Sequence, residues 1–588
     1  MRSPASERED VNTALKLHFE GNIIFAKKAY ETILKKDPDN SFVLTLMGTI
    51  YIQEDNPKEA INYFIKSLKK DSNQPLALGN LAIAEYRLKR YESSLKNFNL
   101  AIKLQPNYAE AFNNRGNVLK DLGRSDEALN SYDKAIHINP HLLDVYINRG
   151  DLYKKIGDIQ KAINEYETAL EIDSTYIPAL KKSGELFYEH SLFNKAIIKF
   201  EKLLEIEPDN LSAVFNCAIG HHKNNNLDRA MQLYDYVITK DSNNLDALNN
   251  KAFIFQSLGN YDKALEIYQN ILKVKQDHPF ALYNIGIIQL TKGNFKDGWK
   301  LYEYRWKSEL KEVANYSNKS QLINLESVRG KTLLINAEQG FGDVIQFCRY
   351  FKLIEKFDVK LIVEMPAQLI SLLSSIDSNI KIIEKGTKPP YFDYYCPIMS
   401  LPFLFKTELN TIPRTTPYLY SDTKKCSFWS KKISNYKKNK IGLAISGSPK
   451  HRNDINRSIS LNKFEIILDL PFDFFLLQKE LSVNEKNLIK NFSNLYSFFD
   501  EINDFSDTAA LIEEMDLVIS VDTSVAHLSG ALAKETWTLI PFRPDFRWML
   551  DRVDSPWYPE MKLFRQTKRN NWDSCLKNIY HELTNKYL

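Results

Sequence analysis

At 588 residues the chain is too long to fold around one hydrophobic core, so several folding units are expected. Hydrophobic residues make up 44% and charged residues 26%, the balance of an ordinary globular protein, and a net charge of +4 over this length makes no electrostatic case for nucleic acid. The five cysteines, Cys217, Cys348, Cys396, Cys426 and Cys575, are widely spaced with no CxxC pair to suggest zinc or a redox couple, which fits a reducing cytoplasm. The start MRSPASERED has no apolar export core, and no apolar run reaches the roughly 18 residues that span a bilayer.

A 34-residue period runs through the first half, with small residues at Ala26, Ala60, Ser94, Ala128, Ala162, Ala196, Ala230 and Ala264. An aromatic follows each one helical turn later, at Tyr30, Phe64, Phe98, Tyr132, Tyr166, Phe200, Tyr234 and Tyr268, and the aromatic register continues to Tyr302. A second small position, as at Gly48, Gly116, Gly150, Gly184 and Gly286, precedes each first one on another helix, where two helices must approach closely. Each repeat is therefore expected to be a helical hairpin. Pro38, Pro106, Pro140 and Pro208, or the pairs beginning at Asp71, Asp173 and Asp241, stop one helix and prepare the next. The unit GNVLKDLGRSDEALNSYDKAIHINP (116–140) resembles the tetratricopeptide repeat, and the resemblance covers roughly residues 7 to 305. It implies a superhelix of about nine hairpins over residues 7–310, whose concave face takes a peptide or protein partner. Asn80, Asn113, Asn114 and Asn148 are candidates to grip a peptide backbone there, or simply form a solvated polar face. The last unit breaks pattern with Trp299, Tyr302, Tyr304 and Trp306, an aromatic cluster suited to capping the array or docking it on the next domain. The polar stretch 311–330 reads as a linker.

From Lys331 short apolar runs alternate with amphipathic stretches: TLLINA, VIQFCRYFKLI, VKLIVEM, QLISLLSS and IKIIEK. After Pro413 to Tyr420 the pattern restarts with KIGLAISG, FDFFLLQK, LYSFFDEI, MDLVISV and TWTLIPF. This β-α-β order predicts two parallel sheets, residues 331–424 and 425–588, with a cleft between them and ligands at the C-terminal strand ends. LESVRGKT is no P-loop, because Leu325 replaces the first glycine and the motif precedes its strand. GFGDVI, with Glu364 further on, partly mimics a dinucleotide site, but Ile345 stands where the third glycine belongs. Asp37 and Asp39 form an Asp-x-Asp pair only inside a repeat turn, so a metal-dependent transferase is disfavoured and neither metal nor cofactor is expected.

The segment DTAALIEEMDLVISVDTSVAHLSGAL ends a strand at Val521 and leads through Asp522, Thr523 and Ser524 into a helix carrying His527. Free N–H groups at such a helix start suit a diphosphate, and Asp522 can hold a sugar hydroxyl; the plainer reading is an N-cap and a packed histidine. With AEQGFGDVIQFCRYF, SGSPKHRNDINRSISL, LQKE and SPWYPEMKLFRQ, this segment resembles the glycosyltransferase domain found behind tetratricopeptide repeats, similar to heptosyltransferases and more distantly to O-GlcNAc transferases. The resemblance covers nearly all of residues 331 to 570 and implies a GT-B fold of two Rossmann-type halves. The acceptor would enter from the N-terminal half and a nucleotide-diphosphate sugar would lie in the C-terminal half. Asp343, behind the loop glycines Gly340 and Gly342, matches the aspartate proposed as general base, though it can equally cap its helix. Arg457 falls where the family places a cation on the donor diphosphate, and Lys450, His451 and Arg452 can join it in neutralising the leaving group without metal. Ser446, Gln478, Lys479, Asp507 and Thr508 complete the expected donor side, while Phe542, Arg543, Asp545 and Trp548 form a loop that closes over the donor or joins the halves. Phe341 between the two glycines departs from the shorter heptosyltransferase loop, so heptose is not implied. The expected activity is a cytoplasmic, metal-independent transfer of a sugar to an acceptor recruited by the repeats, proteins included. The rival reading is a repeat scaffold whose transferase-like domain binds ligand without catalysing.

Overall fold

The computed structural model describes residues 4–308, 316, 320–376, 379–448 and 454–588, without the side chains of residues 4–8 and Ile455. Two compact units divide the chain, Met1–Lys240 and Asp241–Leu588. Among the described residues of the first, fourteen helices run from Pro4–Phe19 to Leu227–Lys240, paired as hairpins. Asn40, Asn56, Asp158 and Asn210 each accept a hydrogen bond from the backbone N–H three residues on, which caps the next helix.

The small and aromatic registers meet as the spacing requires. Ala128, Ala162, Ala196 and Ala230 are fully buried, as are Tyr132, Tyr166 and Tyr234. A Cβ at Gly150 would lie 2.5 Å from the Tyr166 ring, and that ring is held by its hydroxyl donating to Asp151 at 2.7 Å. Alanine at position 150 gains about 1 kcal/mol of helix propensity. Overpacking against a ring that cannot turn away costs about 1–3 kcal/mol. Gly150→Ala should therefore lower the thermal stability of the repeats, measured by circular dichroism; an unchanged or raised midpoint would show that the ring yields.

The second unit opens with two more hairpins, Leu245–Ser257 with Tyr261–Val274 and Pro279–Thr291 with Phe295–Tyr302. Its first sheet contains β1 (Ser320–Gln321), β2 (Thr332–Asn336), β3 (Lys360–Met365), β4 (Lys381–Glu384) and β5 (Tyr394–Pro397), all parallel, in the order β1-β5-β2-β3-β4. The second holds β6 (Lys440–Ala444), β7 (Asp473–Leu476), β8 (Leu495–Ser497), β9 (Leu517–Val521), β10 (Thr536–Ile540) and β11 (Met561–Arg565). It too is parallel throughout, in the order β11-β10-β9-β6-β7-β8. This is the doubly wound 3-2-1-4-5-6 order, and the first sheet follows the same order in its four longer strands. The order reverses between β6 and β9 in one sheet and between β2 and β5 in the other. Those two switch points are where side chains and ligands can gather.

The stretch expected as a linker contributes β1 and a short turn of helix at Leu325–Val328, because Leu325 and Val328 bury into the first sheet's core. The aromatic cluster ending the repeats docks. Trp299 meets Phe347 edge-on at 6.1 Å and Phe546 at 5.5 Å, and Phe295 stacks on Trp557 at 6.2 Å. Side chains from the last hairpin, both sheets and the helices between them form one apolar cluster. Between the two sheets the helix Phe341–Phe347 packs directly against Ser524–Ala531: a Cβ at Gly342 would lie 2.8 Å from His527 Cδ2. Only glycine permits that approach.

Candidate functional site

The switch point of the second sheet is built by the segments leaving β6 and β9. Gln478, just past β7, accepts from the backbone N–H of Ile445 at 2.8 Å and of Ser446 at 3.3 Å, and donates to the Ser446 hydroxyl at 2.8 Å. It therefore shapes the turn after β6. Arg457 donates to the carbonyl of Asp522 at 3.0 Å and lies 3.3 Å from the Asp454 carboxylate, so its guanidinium ties the short helix Asp454–Arg457 to the residue after β9. Thr523 precedes the helix Ser524–Ala531 without a capping side-chain bond; its hydroxyl sits 3.3 Å from Ser520 Oγ instead. The first N–H groups of that helix are consequently not satisfied by their N-cap, next to a cation. Burial raises the half-buried Asp522 carboxyl to about 6, with repulsion from Asp545 adding and the cations Arg457 and Arg547 opposing. Lys450, His451 and Arg452 lie outside the described residues.

His527 is buried, stacked on Trp548 with centroids 5.2 Å apart, with Nδ1 3.0 Å from the Tyr558 hydroxyl. Burial, reinforced by Arg547, Arg349 and Arg457, holds it well below the usual histidine range. Its ring packs against Trp548 and Tyr558 and lies beside Gly342 of the helix Phe341–Phe347.

Facing this point, the turn after β2 presents Gly340 to Asp343. The Gly340 N–H donates to Asp343 Oδ2 at 2.7 Å, the helix-capping contact that the sequence allowed as the plainer role. The other carboxylate oxygen is ion-paired with Arg547, which comes from the loop after β10. Arg547 also donates to Gln346 Oε1 at 2.6 Å and to Asp545 Oδ1 at 2.7 Å. Burial opposes its charge, but Asp545 and Asp343 outweigh burial and raise it above its ordinary value. The loop of Phe542, Arg543, Asp545 and Trp548 thus joins the halves: Arg547 reaches Asp343, and Arg543 lies over the Phe253 ring at 5.0 Å on a repeat helix.

The first sheet's switch point is filled by the protein itself. Arg305, from the end of the last hairpin, is wholly buried and makes a two-pronged pair with Glu338, Nε to Oε2 at 3.0 Å and Nη2 to Oε1 at 2.9 Å. It also donates to Ser400 at 2.8 Å and Glu303 at 2.6 Å, while Glu338 accepts the Met399 N–H at 2.9 Å. Nearby, Arg349 is buried against the carbonyls of Gln346 at 2.8 Å and Trp557 at 2.8 Å and the Tyr418 hydroxyl at 2.9 Å.

The remaining candidates form a separate group. Lys479 donates to the Asn503 carbonyl at 3.0 Å; Asp507 accepts the Asn503 N–H at 2.9 Å and pairs with Lys425 at 2.9 Å; Thr508 lies 3.5 Å from the Asp504 carbonyl. These contacts define the start of the helix Phe505–Glu513. No hydrogen bond among the described residues joins them to Arg457 or Asp522. In the repeats, Asn148 donates to Asn113 at 3.0 Å and Asn80 to Thr49 at 3.1 Å, bonds that link neighbouring hairpins. Among the described residues no helix is long and apolar enough to cross a membrane.

Sequence reasoning missed Arg305, Glu338, Arg349 and Arg547. An arginine flanked by aromatics, as Arg305 is in YEYRWK and Arg547 in DFRWML, was the available signal.

Comparison with known proteins supports the helical part. Models described as tetratricopeptide repeat match residues 43–74, 109–142, 143–176 and 221–284, and one described as TPR repeat matches residues 84–123. The chain carries tetratricopeptide repeats followed by an α/β domain. It is 20% identical over 303 residues to Protein FlbA of Caulobacter vibrioides, covering 47% of this chain and 50% of FlbA, so it spans about half the length of that curated relative. Among solved structures, the C-terminal part of a TPR repeat-containing protein from Cytophaga hutchinsonii is 21% identical, with 40% of this chain and 96% of that one covered and a TM-score of 0.36. The Pseudomonas aeruginosa pilF protein is 21% identical over 36% of this chain and 95% of its own, with a TM-score of 0.32. MamA is 28% identical over 27% of this chain and 94% of its own, with a TM-score of 0.26.

Proposed function

We propose that the α/β domain is a metal-independent glycosyltransferase that takes a nucleotide-diphosphate sugar and passes the sugar to an acceptor recruited by the repeats, proteins being the acceptor class that such repeats suit. The observation that carries this reading is the convergence of Ser446, Arg457, Asp522 and the uncapped start of Ser524–Ala531 on one switch point. Ligands of doubly wound sheets bind at that place, and its cation and free N–H groups match a diphosphate. The Arg457 guanidinium would neutralise the leaving nucleotide, and Asp343, across the packed helices, would take the proton of the attacking hydroxyl.

One observation favours the rival reading, a ligand-binding scaffold: both Asp343 oxygens are already engaged, by Arg547 and by the Gly340 N–H. The test is binding and turnover of UDP-, GDP- and ADP-sugars by the full chain. Arg457→Ala should weaken nucleotide affinity about 10- to 100-fold, the worth of one charge-assisted hydrogen bond to phosphate. If no nucleotide sugar binds, both readings fail; if one binds but is neither hydrolysed nor transferred, the scaffold reading stands.

A further inference from the structure

Away from the α/β domain, and independent of what that domain does, the unit Met1–Lys240 gathers three metal-ligating side chains of different kinds. Cys217 and His221 stand four residues apart on the helix Leu211–Lys223 and so share one face. Glu201 comes from Phe193–Ile206, the neighbouring helix of the preceding hairpin. The Cys217 sulfur, an imidazole nitrogen of His221 and a carboxylate oxygen of Glu201 all lie within 4.8 Å of one another. Cys217 is buried and His221 is 92% buried, at 8% relative exposure, yet the His221 Nε2 atom has no hydrogen-bond partner. Glu201 Oε1 is 3.5 Å from that nitrogen, close to the roughly 3.4 Å that separates two N/O ligand atoms placed tetrahedrally about a zinc ion at about 2.1 Å.

We propose that Cys217, His221 and Glu201 bind a zinc-class divalent cation that staples two adjacent repeats together. The donor set selects the metal. One thiolate, one imidazole and one carboxylate suit zinc, whereas calcium and magnesium would require oxygen throughout. The orphaned nitrogen is explained, because Nε2 becomes a ligand and the proton moves to Nδ1. There the Asn226 side chain already sits at 3.4 Å, and its amide, turned over, presents the carbonyl acceptor that a metal-bound imidazole needs. Glu201 is half-exposed, so its side of the site opens to solvent and a water can fill the fourth position.

The probe is cobalt(II) added to the chelator-treated full chain. One equivalent should give tetrahedral d–d absorption and a thiolate-to-cobalt charge-transfer band, both displaced by zinc, and zinc alone should raise the unfolding temperature. Cys217→Ser should abolish the charge-transfer band, and His221→Ala and Glu201→Gln should each weaken binding by about tenfold or more. Absence of tetrahedral absorption in the native chain overturns the proposal. So does a charge-transfer band that persists in Cys217→Ser, since Cys348, Cys396, Cys426 or Cys575 would then be the ligand. The native-chain spectrum decides even if a variant fails to fold.

Discussion

Replacing Arg305 with methionine is expected to destabilise the second unit by about 3–5 kcal/mol, the usual consequence of removing one partner from a buried ion pair. Methionine fills most of the space but leaves Glu338 buried, its bonds from Arg305 gone and the Met399 N–H remaining as its donor. Burial already pushes the Glu338 carboxyl above its ordinary value despite the attraction of Arg305. A raised folded-state value means the native chain holds that proton more tightly than the unfolded chain, so stability falls as pH rises through and above the carboxylate range. Without Arg305 the carboxyl rises further, and the Arg305→Met defect should therefore be smaller at pH 5 than at pH 7. Glu338→Gln in the same chain should restore most of the loss by removing the stranded charge. Urea unfolding followed by tryptophan fluorescence reads this directly, since Trp299 and Trp557 lie in the adjoining core. A single variant within about 1 kcal/mol of the native chain would mean that Glu338 finds water or moves out.

The same pair shows where the sequence stops being legible. The repeats announce themselves because their contacts are local: Gly150 and Tyr166, like Gly48 and Phe64, lie sixteen residues apart and recur with the period. Eight of the eleven strands among the described residues follow from apolar runs. The others were hidden for physical reasons: β1 has two residues, β5 reads YYCP without alternation, and β11 sits in a loop-like segment beginning SPWYPE. Placement of Asp522, Thr523 and Ser524 at a strand end was readable from the change of pattern after Val521. The partners were not. Arg547 and Asp343 are 204 residues apart, and Arg305 and Ser400 are 95 apart, joined by a topology that no local spacing encodes. Cys217 and His221 share a helix face in the sequence, but Glu201 joins them only once two hairpins stack.

Asp343 carries the second large effect. Asp343→Asn is expected to reduce nucleotide-sugar hydrolysis or transfer about 100-fold or more, the ordinary worth of a general base, while nucleotide affinity changes less than about twofold. The fold should survive, because asparagine still accepts the Gly340 N–H and Arg547 keeps Asp545 and Gln346 as partners. The shared grip is what makes a base role physically workable. Arg547 divides its charge between Asp343 and Asp545, so Asp343 can take up a proton from an attacking hydroxyl without leaving Arg547 unpaired in a buried setting. Under the scaffold reading the Asp343–Arg547 pair is only a clasp between the halves, and the native chain itself would bind nucleotide sugar without turning it over. Unchanged turnover in Asp343→Asn would remove the base from Asp343 while leaving the donor site standing, and the proton would then have to leave through another group.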